Sequence, residues 1–242
     1  RIDGRLLIQN NQSPPNVPTI ASIVRANPTA GFSIVTATQG SGDSTWGHGL
    51  NAKPDWIVLK ARNQAYGWFV SHSGLDNQST KFLQLHNTNA VATNANWFAS
   101  TEPTSSVVTT KAGGMWSASD DFVAYCWAAV EGYSAFGSYT GNGSSDGPFV
   151  ALSFAPRWLL VKGTGSSTAW RIWDSEREPN NVKNKSLHAN DGQSETYYGA
   201  DDIDFLSNGF KLRASGSYQN TSGATYIYAA FAEHPFKTAR AR

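Results

Sequence analysis

Paired carboxylates are the first residues here whose chemistry needs weighing, because cleaving a glycosidic bond takes two of them on either side of it. The candidates are Asp120 with Asp121, Asp201 and Asp202 with Asp204, and Glu176 with Glu178. Neighbours in a strand point to opposite faces, so Asp120 and Asp121 do not bracket one bond. Asp201, Asp202 and Asp204 lie on a Gly-rich approach to a strand, where Asp serves turns. Glu131 and Glu233 each follow a long apolar run and read as structural. His48, His72, His86, His188 and His234 are scattered, with no H-x-x-x-H spacing and no cysteine partner, and the Asp201 segment lacks calcium-loop spacing. Cys126, the single cysteine, sits in the apolar run FVAYCWAAV and reads as a buried, inert thiol. No G-x-S-x-G elbow is present, and GNGSSDG (141–147) lacks the G-K-[ST] ending of a phosphate loop, so it reads as a hairpin turn. These residues predict no enzyme, no cofactor and no metal.

Aromatic side chains are the signal that remains. Trp56, Trp127, Trp158 and Phe231 fall in apolar strand-like runs and read as core. Trp46, Trp97, Trp116, Trp173, Tyr197, Tyr198 and Tyr218 lie in or beside polar stretches rich in Asn, Ser and Gly. Rings in that setting suit stacking on sugars or packing against a partner, so these seven are the candidate ligand-binding residues. The competing reading has them capping the ends of the fold or buried between chains.

The elements that would position them form a long internal repeat. GFSIVTATQGSGDSTWGHGLNAKPDWIVLKARNQAYGWFVSH (31–72) matches GYSAFGSYTGNGSSDGPFVALSFAPRWLLVKGTGSSTAWRIWD (132–174). Gly31 falls on Gly132, Pro54 on Pro156, Trp56 on Trp158, Lys60 on Lys162 and Trp68 on Trp170. Further on, Leu83 answers Leu187, SSVVTT (105–110) answers NGFKLR (208–213), and Trp127 answers Phe231. A separation of 102 residues between Trp56 and Trp158 is the length of a small domain, not of a solenoid repeat. Short period-two runs with turn signals between them predict antiparallel strands, and no sustained 3.6-residue stripe predicts a helix. The expected fold is all-β: two tandem, duplicated antiparallel β-sandwich lobes, over residues 31–131 and 132–242, with an extended N-terminal arm over 1–30. Within that arm RLLIQ allows one strand, NNQSPPNVPT an extended linker, and IASIVRANPTA a short strand or turn. In the second lobe a long polar loop is expected from Ser175 to about Asp202.

Composition narrows the setting. A net charge of +1 and 15% charged residues give no basic footprint for nucleic acid, and the basic tail from Lys237 to Arg242 reads as a solvated end. The longest apolar run is too short for a bilayer crossing. The chain opens RIDGRLLIQNNQ, without a methionine or an apolar h-region, so an upstream portion is expected and no secretion signal is read. Nine tryptophans and 22 glycines at this low charge suit an extracellular, virion-surface or carbohydrate-facing β protein.

The strings GHGL, GSYTGNGSSDGPFV, FLSNGFKLR and YIYAAFAEHPFK complete the pattern. Together with the repeat, from Gly31 to the last residue, they resemble a domain of unknown function found at the C-terminal end of tail-fibre-like and other virion structural proteins of tailed bacteriophages, notably marine phages. Members often carry a lectin-like segment upstream; residues 1–30 do not read as one, so either a fragment of such a protein or a compact version is expected. The resemblance implies a non-enzymatic virion structural protein on the particle surface, expected to be a tail-fibre or spike module that binds a host surface glycan. Its expected partners are other virion proteins and further copies of itself, a homo-oligomer such as a trimer, with no nucleic acid and no membrane insertion. The alternatives are a capsid decoration or head-fibre protein, and a polysaccharide-degrading enzyme or its binding module.

Overall fold

The computed structural model describes residues 6–7, 17–165, 167–197, 201–216 and 218–233. These residues form several antiparallel sheets and no helix, as the period-two runs predict. The chain divides into two compact units, one of Arg1–Gln84 with Val91–Ala128 and one of Leu85–Ala90 with Ala129–Arg242.

The first unit contains β1 (Leu6–Leu7), β2 (Ser22–Asn27), β3 (Phe32–Thr38), β4 (Asp43–Gly47), β5 (Trp56–Ala61), β6 (Trp68–His72), β7 (Lys81–Gln84), β8 (Ala92–Thr93), β9 (Val107–Lys111) and β10 (Asp121–Trp127). Its large sheet runs β1-β2-β3-β10-β5-β6-β7-β8, and β4 pairs with β9 in a small second sheet. The segment before Gly31 is therefore not all arm: β2 pairs along its whole length with β3, because alternating Ser22, Val24 and Ala26 give it an inward face. Most of the proline-bearing stretch before it lies outside the described residues. In β10 the alternation is strict, with Phe122, Ala124 and Cys126 buried and Val123, Tyr125 and Trp127 half-buried on the opposite face. The small sheet lays Trp46 and Val108 on the inward face. There the Trp46 ring lies 5.6 Å from Phe122, and Trp116 stacks on Phe122 at 5.0 Å.

The second unit contains β11 (Ser134–Thr140), β12 (Phe149–Ala151), β13 (Pro156–Gly163), β14 (Arg171–Asp174), β15 (Lys185–His188), β16 (Thr196–Tyr197), β17 (Ile203–Leu206), β18 (Gly209–Leu212) and β19 (Thr225–Ala232). One sheet runs β11-β19-β13-β14-β15-β16 and another β12-β18-β17. Between them pack Tyr139, Leu159, Val161, Trp173, Phe210, Tyr226 and Tyr228, with Tyr139 stacked on Tyr226 at 5.2 Å. The expected loop from Ser175 to about Asp202 instead carries β15 and β16. These strands are so short and polar that they leave little periodic signal.

Strand order recurs from one unit to the other: β3-β10-β5-β6-β7-β8 and β11-β19-β13-β14-β15-β16. Register recurs with it. Trp127 on β10 faces Trp56, as Phe231 on β19 faces Trp158; Val70 faces Leu83, as Ile172 faces Leu187. Gly31 and Gly132, which precede β3 and β11, both have positive φ (64° and 72°), a backbone that disfavours any side chain.

The tryptophans expected near the surface turn inward. Trp46, Trp97, Trp116 and Trp173 are wholly or almost wholly buried in the two cores. Of the four rings expected in the core, Trp56 is buried and Trp127, Trp158 and Phe231 are half-buried; all four lie on the opposite faces of the large sheets, outside both core clusters, with Trp56 stacked on Trp127 at 4.3 Å. Period two separates the faces of a strand but does not say which one turns inward.

Candidate functional site

Four of the seven candidate rings are removed by this packing. Trp97 lies between Phe82 (4.7 Å) and Phe98 (4.8 Å), and the Trp116 Nε1–H donates to the buried Gln39 side chain at 3.3 Å. Trp46 is held against Phe122, and the Trp173 Nε1–H donates to the Asp201 carbonyl at 3.1 Å. None of these four offers a sugar a free face. Each carries so much apolar area that its polar neighbours in sequence cannot keep it at the surface. Tyr198 and the side chain of Tyr197 lie outside the described residues. Tyr218 is the ring left in the open, with 41% of the residue exposed.

Tyr218 stands over a buried charge. Arg171 opens β14 on the inward side of the sheet, directly across from His188 on β15. Its Nη1 donates to the Asp201 carboxylate and, at 2.9 Å, to the Ser186 hydroxyl, which itself donates to the same Asp201 oxygen at 2.7 Å. Arg171 and Asp201 are both almost wholly buried. Burial pushes the Asp201 carboxyl up from its ordinary value, against Arg171 and Ser186, which favour the charged form. The Tyr218 ring lies over the guanidinium, 4.3 Å from Cζ to the ring centroid.

The loop carrying Tyr218 is tied down beside it. The wholly buried Asn220 donates through Nδ2 to Asn142, Ser144 and Ala214, and the Tyr139 hydroxyl donates to the Gln219 carbonyl at 2.8 Å. In front of the ring opens a cleft of about 380 Å³, at the small end of ligand-site volumes, lined by Thr168, Arg171, His188, Asp191, Gln193 and Tyr218 among others. Asp191 is its exposed anion. The carboxylate accepts from the Gln193 amide (3.0 Å) and Asn190 Nδ2 (2.9 Å), and His188 Nδ1 lies 3.1 Å from both its oxygens. Partial burial opposes ionisation, but the Gln193 amide and His188 outweigh it and hold the carboxyl below its usual value.

The carboxylate pairs considered for hydrolysis are spread among structural bonds. Asp120 caps a turn by accepting from the Ser117 amide, and Asp121 accepts from the Thr38 hydroxyl. Glu176 pairs with Arg157, Glu178 accepts the Asn184 and Lys185 amides, and Asp204 pairs with Arg213. Asp202 is pushed up by burial and by the neighbouring Asp204 and Glu178. Among the described residues, no group of three or more His, Cys, Asp and Glu side chains is placed to hold a metal ion.

In comparison with known families, the model of a domain of unknown function, DUF7483, matches residues 9–235. The chain belongs to the DUF7483 family. Comparison with curated proteins and with solved structures returns no match.

In this DUF7483 domain the sequence assigns no role to Arg171 or Asp191, and His188 figures only among histidines without metal-ligand spacing. A signal for Arg171 was present: in AWRIWD it alternates with the inward Trp173, and a charge on the inward face of a strand calls for a buried counter-charge. Its partner Asp201 lies 30 residues away in sequence, beyond the reach of any local pattern.

Proposed function

We propose that this chain is a non-enzymatic structural protein of a tailed-bacteriophage particle, a tail-fibre or spike module that attaches to host surface glycan. The observation that carries this reading is the open Tyr218 ring, fixed on the Arg171–Asp201 pair at the mouth of a polar cleft. An exposed ring that has already lost its freedom binds a sugar face at low entropic cost. The even spread of carboxylates into caps and ion pairs favours holding a polysaccharide over cutting it. Two copies of one ancestral β unit, read from the recurring strand order, and a homo-oligomeric fibre would multiply weak sugar contacts into firm attachment.

The test presents the purified chain to immobilised bacterial capsular and lipopolysaccharide glycans, and in parallel analyses the soluble polysaccharides for new reducing ends. Retention on at least one glycan with no shortening is expected. Reducing ends that accumulate with time, or no retention on any surface, would overturn the reading. Immunogold labelling of source-phage particles should place the chain on fibres or spikes; label confined to the head would favour the decoration-protein alternative.

A further inference from the structure

Resting on that adhesion reading, we infer that the Tyr218 cleft takes an uncharged pyranose and discriminates against sugars bearing carboxylate or sulfate. Among the described lining residues Arg171 is the one arginine or lysine, and its charge is already engaged. Its Nη1 serves Asp201 and Ser186, and the Tyr218 ring covers its π-face. An anionic ligand therefore meets no guanidinium fork of the kind that normally recognises carboxylates.

The charge that does reach the cleft is negative. Asp191 keeps about a third of its side chain exposed and is held ionised by the Gln193 amide and His188. A uronate or sialate carboxylate would approach it against like-charge repulsion. A sugar hydroxyl would instead donate to it in a charge-assisted bond. Asn190 and Gln193 each donate to one oxygen and His188 Nδ1 lies against both, so a sugar hydroxyl would reach the carboxylate from its exposed third. Tyr218 supplies the other half of the recognition. A pyranose with its C–H bonds on one side stacks on the open face of the ring, and its hydroxyl edge turns toward Asp191 and Gln193.

Saturation-transfer NMR and calorimetry on the full chain test this, with oligomers of glucose, mannose and galactose as uncharged probes and oligogalacturonate and sialyllactose as charged ones. Binding of at least one uncharged probe in preference to both charged ones is expected. Tyr218→Ala should weaken it about tenfold, and Asp191→Asn by a similar factor, while also narrowing the discrimination against the charged probes. Far-UV circular dichroism checks each variant's fold, and Asp191→Asn, at the exposed rim, provides a test independent of the Tyr218 loop. Equal or tighter binding of the charged probes would overturn the ligand class and leave adhesion standing. Uncharged-probe binding untouched by both substitutions would overturn the site. Failure to bind any saccharide in either panel would overturn this inference together with the adhesion reading.

Discussion

His48 shows how one side chain ties this fold to pH. It is wholly buried; its Nδ1 accepts from the Leu50 amide at 3.3 Å, and its Nε2 faces the Thr104 carbonyl at 3.2 Å. Burial pushes its pKa down from 6.5 to about 4, with the Thr104 carbonyl pulling weakly the other way. A folded-state pKa below the unfolded one means the stability is fully present above about pH 6.5 and is lost as pH falls toward 4. The loss across that window is on the order of 3 kcal/mol. Urea titrations at pH 7 and pH 4.5 should show a larger drop in midpoint for the native chain than for His48→Asn, and equal drops would clear His48 of the effect. No local pattern hints at this role, because a lone histidine in GHGL looks the same whether solvated or enclosed. Tyr218 and Trp173 both stand beside polar stretches, and tertiary packing is what separates the exposed ring from the buried one.

Strands were the most legible part of the chain. DWIVLKAR and DDFVAYCWAAV are dense in β-branched and aromatic residues, and they became β5 and β10 in the middle of the large sheet. β17 went unseen, since IDFL is a four-residue run whose pairing with β18 is set by the short connection between them rather than by hydrophobic period. β18 also meets β12, and the fit is close: a Cβ at Gly209 would stand 2.1 Å from the Val150 carbonyl oxygen and 3.0 Å from the Phe149 ring. Backbone cannot yield there without parting the two strands. Gly209→Ala should therefore cost about 1–3 kcal/mol, read as a lowered melting temperature in calorimetry. An unchanged melt would mean that β12 shifts freely.

At the scale of the molecule, the matched landmarks identified in the sequence find equivalent seats, Trp56 beside Trp127 and Trp158 beside Phe231. Which face those rings occupied was not legible, because inward and outward are properties of the assembled layers. Cys126 offers a clean report on the first unit: it is wholly buried on β10, and burial pushes its thiol up to about 12. A disulfide reagent at pH 8 should label it only as fast as that unit opens, with the rate climbing in denaturant; prompt stoichiometric labelling in native buffer would contradict the burial. The strand order carries one more consequence. β19 follows β11 and β13 in the chain yet lies between them, as β10 lies between β3 and β5. During synthesis on a ribosome, each sheet therefore waits with a vacant interior slot until its latest strand emerges. A nascent chain halted before Thr225 would present two unsatisfied edges to its neighbours on the same messenger, a state for which chaperones have high affinity.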